Sequence, residues 1–180
     1  RLSEPWTSPW SGETSPVGTR ITLSSVVALS KKKQITIPIP NATALMLSAA
    51  EHAYNSARAI RDQCAIDKSL HQHVAFQDDA QTFDYLEGKV VSIVLAYTAI
   101  EAFVNEVIPE VFSYTRTKRD GSQEQLNKSA IERHVNMDEK LCTILPSVLS
   151  CLSPKGSRCW QAYRQLKEIR DRVVHMKTED

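Results

Sequence analysis

The chain has 180 residues, 42% of them apolar and 24% charged, which suits one domain with a real hydrophobic core. Lys and Arg number 22 against 21 Asp and Glu. This near balance excludes a broadly basic nucleic-acid coat, so any nucleic-acid contact must be local.

Residues 1–19 carry Pro5, Pro9, Pro16 and a run of Ser and Thr, the composition of an irregular arm. Trp6 and Trp10 lie in it and are expected to dock on the body or on a partner. No apolar h-region of a signal peptide is visible among the first thirty residues. The opening on Arg1 suggests a fragment or a processed product. Residues 20–29 and 34–39 are rich in Ile, Val and Thr and flank Lys31, Lys32 and Lys33, which predicts a short β-hairpin. Pro38 and Pro40 confine its second strand to an edge.

From Asn41, a suitable N-cap, the pattern turns helical over 42–65, with Leu45, Leu47, Ala50, Tyr54, Ala57 and Ile60 as apolar positions. Residues 72–81 read as a polar loop, and His71 and His73, at its start, as solvated. A long helix is predicted over 83–112, with Pro109 kinking or ending it. It is apolar almost all round between Val90 and Val104, the mark of a buried central helix. Its most apolar run, 90–100, is closed by Lys89 and Glu101. That is short of the roughly 20 residues that span a bilayer, so no membrane contact is expected.

Residues 113–121 read as a basic loop with Arg116, Lys118 and Arg119, closed by Asp120-Gly121. Ser122 and Gln125 have capping-box spacing for a helix through about Val135. Asn136 and Glu139 open another helix, carrying Leu141, Ile144 and Leu145 and disturbed at Pro146. Residues 150–156 are loop, and Ser157 caps a final helix running to about Met176. The expected fold is all-α, a four- to five-helix bundle over 41–180 behind a short extended or β element in 1–40.

The cysteines, Cys64, Cys142, Cys151 and Cys159, form neither a C-x-x-C pair nor a tight Cys/His cluster. Reduced, mostly buried thiols of a cytoplasmic protein are expected, without structural zinc. His52 and His134 have no ligand partner one turn along, and no Walker loop, G-x-G-x-x-G or G-x-S-x-G is present.

Chemistry concentrates in Arg170-Asp171-Arg172-Val173-Val174-His175. Tyr163, Leu166, Ile169, Val173 and Val174 form the apolar side of the last helix, and Arg170 sits among them. Asp171 and His175 are four residues apart and share a face, where a carboxylate can orient an imidazole. Arg170 and His175 lie about 140° apart round the helix, so only the long Arg side chain reaches a shared site. A simpler arrangement is also open: Glu168 pairs with Arg164 or Arg172 and Lys167 with Asp171, leaving a solvated face and a His favoured by the helix dipole. Glu101, within the most apolar part of the long helix, either finds a buried partner or begins an exposed stripe.

The string KEIRDRVVH resembles the signature of HEPN domains, in which an Arg, commonly followed by Asn, Asp or His, precedes a His by four to six residues on the last core helix. VVSIVLAYTAIEAFVNEV resembles the neighbouring helix of that family, and MDEKLCTIL before WQAYRQLKEIRDRVVH follows its order of elements. The resemblance covers residues 82–177, with 42–65 as a first helix.

It implies an RNA endonuclease of toxin or abortive-infection type that requires no metal or other cofactor and cleaves by attack of the ribose 2′-hydroxyl on phosphorus. His175 would move the proton, Arg170 would stabilise the phosphorane, Asp171 would orient His175, and Glu101 would pair with Arg170. Arg116, Lys118, Arg119 and Arg172 would hold the RNA backbone. The resemblance also implies a homodimer or a HEPN–HEPN pair, and an antitoxin or regulatory domain as partner. A non-catalytic HEPN-like module for dimerisation, or for protein or nucleotide binding, is the alternative.

Overall fold

The computed structural model describes residues 4–7, 12–19, 24–30, 33–38, 41–67, 73–118 and 120–175. The chain divides into two compact units, Arg1–Asn41 and Ala42–Asp180. The protein is mainly helical, with short strands toward its N-terminus.

In the first unit, β1 (Trp6–Thr7) pairs antiparallel with β2 (Thr14–Ser15). The predicted hairpin is formed by β3 (Ser24–Ser30) and β4 (Lys33–Pro38), with Ser24 opposite Pro38 and Val26 opposite Thr36. Pro38 ends its strand, where its missing N–H costs no ladder bond. Trp10, Lys31 and Lys32 lie outside the described residues.

The second unit begins with α1 (Ala42–Gln63), followed by the small hairpin β5 (Ala65–Asp67) and β6 (His73–Ala75). His71 falls outside the described residues, and His73 opens β6 rather than sitting in a loop. Helix α2 (Asp79–Val107) starts four residues earlier than the apolar pattern predicts, because the Asp78 side chain accepts the Gln81 N–H at 2.8 Å and caps it. It ends at Val107, before Pro109.

Helix α1 packs along α2 at close range. A Cβ on Gly88 would stand 3.0 Å from the Ala57 Cβ and 3.1 Å from the Ala53 carbonyl oxygen, so only glycine lets the two backbones approach this far. The pair is fastened at its ends by Thr43, which donates to Glu106 at 3.0 Å, and near Gln81 by the Cys64 thiol.

The segment 113–127 departs from the expectation of a basic loop and a capped helix. It is a second hairpin, β7 (Ser113–Thr117) and β8 (Gln123–Asn127), with Tyr114 opposite Leu126 and Arg116 opposite Glu124. The turn uses the anticipated Asp120-Gly121: Asp120 accepts from the Ser122 N–H and hydroxyl, and Gly121 takes φ +83°. Ser122 thus serves the turn, and the N-cap that follows is Asn127, which opens α3 (Lys128–His134).

Asn136 caps α4 (Met137–Glu139), which runs directly into a π-helical stretch (Lys140–Ile144) and α5 (Leu145–Leu149). The irregularity therefore precedes Pro146 by a turn. A proline ring clashes with the carbonyl four residues back in a regular helix, and the wider turn accommodates it. Ser157 caps α6 (Arg158–Val174), accepting the Trp160 N–H at 3.2 Å.

The core is one cluster of Tyr97, Val104, Ile108, Leu126, Ile131, Val135, Met137, Ile144 and Tyr163. It gathers the second half of α2, the β7–β8 hairpin, α3, α4 and α6. Helix α2 is long and apolar enough to cross a membrane, since its best 18-residue window averages a hydropathy of 1.6, more than the 90–100 run suggested; 22% of that window is buried within the fold. Cys64 and Cys142 are half-buried while Cys151 and Cys159 are exposed, so the thiols are less buried than expected.

Candidate functional site

Arg170 projects from α6 toward α2, as its place on the apolar side predicts. Its guanidinium lies over the Tyr97 ring, 3.9 Å from the centroid, and its side chain is only 22% exposed. Nη1 lies 2.8 Å from Asp171 Oδ1 as an ion pair, and Nε is buried without a hydrogen-bond partner among the described residues. A stacked, partly dehydrated guanidinium keeps its charge and its planar fork, which suits recognition of an anion at its open edge.

Two expected pairings are not formed. Asp171 turns to Arg170 instead of His175, which meets Asp171 through the helical bond from its backbone N–H to the Asp171 carbonyl at 3.0 Å. His175 is the exposed C-cap of α6, in a non-helical conformation. Glu101 forms no hydrogen bond or ion pair with Arg170. Its negative charge favours the charged form of Lys140. Tyr97 and Glu101 are one turn apart on α2, and it is Tyr97 that meets Arg170.

Lys140 is 3% exposed, and sequence inspection did not single it out. It donates to Asn105 Oδ1 at 3.1 Å and to the Glu132 carbonyl at 3.0 Å. Burial pushes its pKa down, while the charges of Glu101 and Glu132 oppose that shift. Its spacing, three after Met137 and four before Ile144, was the available signal, because it puts Lys140 on the buried face.

The two residues before Lys140 tie down two other elements. Asp138 Oδ1 accepts from the Tyr163 hydroxyl at 2.7 Å and from Lys167 Nζ at 2.9 Å, and Arg164 lies 3.5 Å from Oδ2. Burial pushes the Asp138 carboxyl up, but its bonds from Lys167 and Tyr163 and their positive surroundings outweigh this, so it sits below its ordinary value. Burial, with Asp138 and Tyr97 adding to it, raises Tyr163 far above an ordinary phenol. Glu139 accepts from the Tyr114 hydroxyl at 2.9 Å and lies 3.9 Å from Arg116. Asp138, Glu139 and Lys140 thus anchor α6, the β7–β8 hairpin, and α2 with α3 in turn.

The residues expected to grip RNA are engaged within the protein. Arg116 donates to Glu124 at 2.9 Å, directly across the hairpin, and Lys118 lies 3.4 Å from the same carboxylate. Arg172 donates to Glu168 at 2.9 Å on an exposed face, one of the pairs the simpler arrangement anticipates. Lys167 pairs with Asp138 rather than Asp171. Arg119 lies outside the described residues. Among the described residues, no group of three or more His, Cys, Asp or Glu is placed to hold a metal ion.

A second feature lies one turn before Arg170 along α6, at Leu166. Leu47, Ala50, Glu51, Tyr54, Ser92, Ile93, Ala96 and Leu166 line an open, mainly apolar groove of about 460 Å³ between α1, α2 and α6. No protein-family model matches the sequence, and no curated protein or solved structure is significantly similar to it.

Proposed function

We propose that the protein is a metal-independent RNA endonuclease of HEPN type, a cytoplasmic toxin or defence effector. The observation that carries this reading is Arg170, a guanidinium stacked on Tyr97 at the end of a helix that finishes on the exposed imidazole of His175. In this scheme Arg170 stabilises charge on the phosphorane, while His175 accepts the 2′-hydroxyl proton or protonates the leaving oxygen. Asp171 holds the guanidinium rather than the imidazole. Glu101, without a bond to Arg170, contributes only its charge near the buried Lys140. Arg116, Lys118 and Arg172 reach RNA only by exchanging Glu124 and Glu168 for phosphate. One helix end supplies too few groups for the reaction, so a homodimer or a HEPN–HEPN pair would complete it, with an antitoxin or regulatory domain holding it in check.

The test is RNA integrity after expression of wild type, Arg170→Ala and His175→Ala. Wild type should leave fragments ending in cyclic phosphate, and each variant should lose at least about a hundredfold of that activity. Equally intact RNA in all three cases sinks the nuclease reading.

A second reading, a non-catalytic module for dimerisation or protein binding, is favoured by the exposed Leu45, Leu47, Phe83, Leu86 and Val90 on α1 and α2. It predicts self-association, or capture by a partner, that survives Arg170→Ala and fails when Leu86 and Val90 become polar.

A further inference from the structure

Besides the Asp171 carboxylate next to it, Arg170 is placed by groups that belong neither to the motif nor to its own turn of helix. Its guanidinium rests 3.9 Å from the centroid of Tyr97, and the Tyr97 ring is in turn stacked on Tyr163, with centroids 6.2 Å apart and planes inclined by 19°. Trp160 backs Tyr163 at 5.2 Å. The Tyr163 hydroxyl donates to Asp138 at 2.7 Å, and the same carboxylate oxygen takes Lys167 Nζ at 2.9 Å. A ring can slide along a stacked neighbour at little cost, whereas a short hydrogen bond to a carboxylate fixes the ring that donates it. The fixed point of the series is therefore Asp138, on the first turn of α4, where the Asn136 cap holds the backbone.

We infer that Asp138 is a positioning residue for Arg170, acting through the hydroxyl of Tyr163 and the stacked Tyr163 and Tyr97 rings. This deepens the ribonuclease reading, on which its catalytic consequence rests, but the placement itself is a property of the fold. Asp138 touches neither the guanidinium nor any reacting atom. It sets the height and tilt of the aromatic pair on which the guanidinium lies. Lys167 and Arg164 keep its carboxylate charged and aimed at α6, so the anchor persists through the neutral range.

The test is the side-chain Nε–H signal of Arg170 in nitrogen-correlated NMR of the full chain. A proton near the face of an aromatic ring is displaced upfield, and Tyr97→Leu identifies the signal by abolishing that displacement. Asp138→Asn and Tyr163→Phe should each remove a large part of it and broaden the signal, while Asp138→Glu restores part of it. Tyr163→Phe keeps both rings and removes only the hydroxyl, so it remains informative if Asp138→Asn folds poorly. Ser157→Ala, which weakens the cap of the same helix, should leave the signal in place.

If RNA cleavage is present, the two relay variants should lower kcat roughly tenfold to a hundredfold, with KM little changed. An Arg170 signal that stays fixed in both variants overturns the relay even if RNA is cleaved. Signal movement with no cleavage by wild type leaves the relay standing and removes the nuclease reading instead.

Discussion

The two halves of α2 carry the same apolar row and meet opposite fates. Phe83, Leu86, Val90, Tyr97, Val104 and Ile108 are spaced by threes, fours and sevens, so they share one face of the helix. Val104 and Ile108 are 0% exposed in the core, whereas Val90 is 39% and Phe83 70% exposed. Side-chain chemistry does not distinguish the halves; what lies opposite does. The hairpin β7–β8, α3, α4 and α6 crowd the second half, while the first half has α1 on one side and, among the described residues of this unit, no comparable cover on this row. Apolar periodicity therefore reports what a helix can bury, and the length of the neighbouring elements determines how much of it is buried.

The largest effects should come from the crowded half. Ile144→Ala, at a fully buried position, should cost about 2–5 kcal/mol in urea unfolding. On α2 itself, Val104→Ala should cost about 2–3 kcal/mol and Val90→Ala less than about 1, although the substitution is identical. Equal costs at the two sites would mean that something covers the first half in solution, and the unfolding midpoint would then depend on protein concentration.

Gly88→Ala follows, at about 1–2 kcal/mol. The new Cβ must push Ala57 and the Ala53 carbonyl away, and better helix propensity offsets only part of that.

Asp138→Asn should cost about 1–3 kcal/mol near neutral pH. Because the folded-state pKa of Asp138 lies below its ordinary 3.8, its contribution is complete above that value. It is lost as pH falls through the folded pKa, so the stability difference between wild type and the variant should close in acid. A difference that widens with acid would contradict the pairing.

Smallest of all, Leu86→Gln should change stability by less than about 0.5 kcal/mol and reduce self-association in light scattering.

Much of the helical framework was legible in the sequence. Caps and periodicity located α1, α6 and the 136–149 segment because each signal is local: Asn136 and Ser157 bond within three residues of themselves. The β7–β8 hairpin was missed although Tyr114, Thr115 and Thr117 favour a strand and Asp120-Gly121 a tight turn. Ser122 and Gln125 have the spacing of a capping box, and only the cross-strand pairing of Arg116 with Glu124 decides against it.

The site was legible in phase and not in partner. Arg170 points inward, as its flanking Leu166 and Val174 require. Yet whether it meets Glu101 or Tyr97 depends on how far α6 slides along α2, and one turn, about 6 Å, separates the two outcomes. No local pattern encodes that offset. Lys140 is hidden for a different reason: lysine is so rarely buried that its place on an apolar face gives little signal beside the exposed lysines of the chain.

The wide turn at Lys140–Ile144 has one further consequence. It holds one residue more than a regular helix would use between the charged trio Asp138, Glu139 and Lys140 and the packing face of Ile144, Leu145 and Val148. Deleting a single residue there would leave an unbroken helix with its composition almost unchanged. It would also take up the bulge, so the trio would keep nearly the same phase on that face while the Pro146 ring lost the wide turn that accommodates it. The three anchored elements would stay in register, and the cost would fall on the backbone around the proline instead.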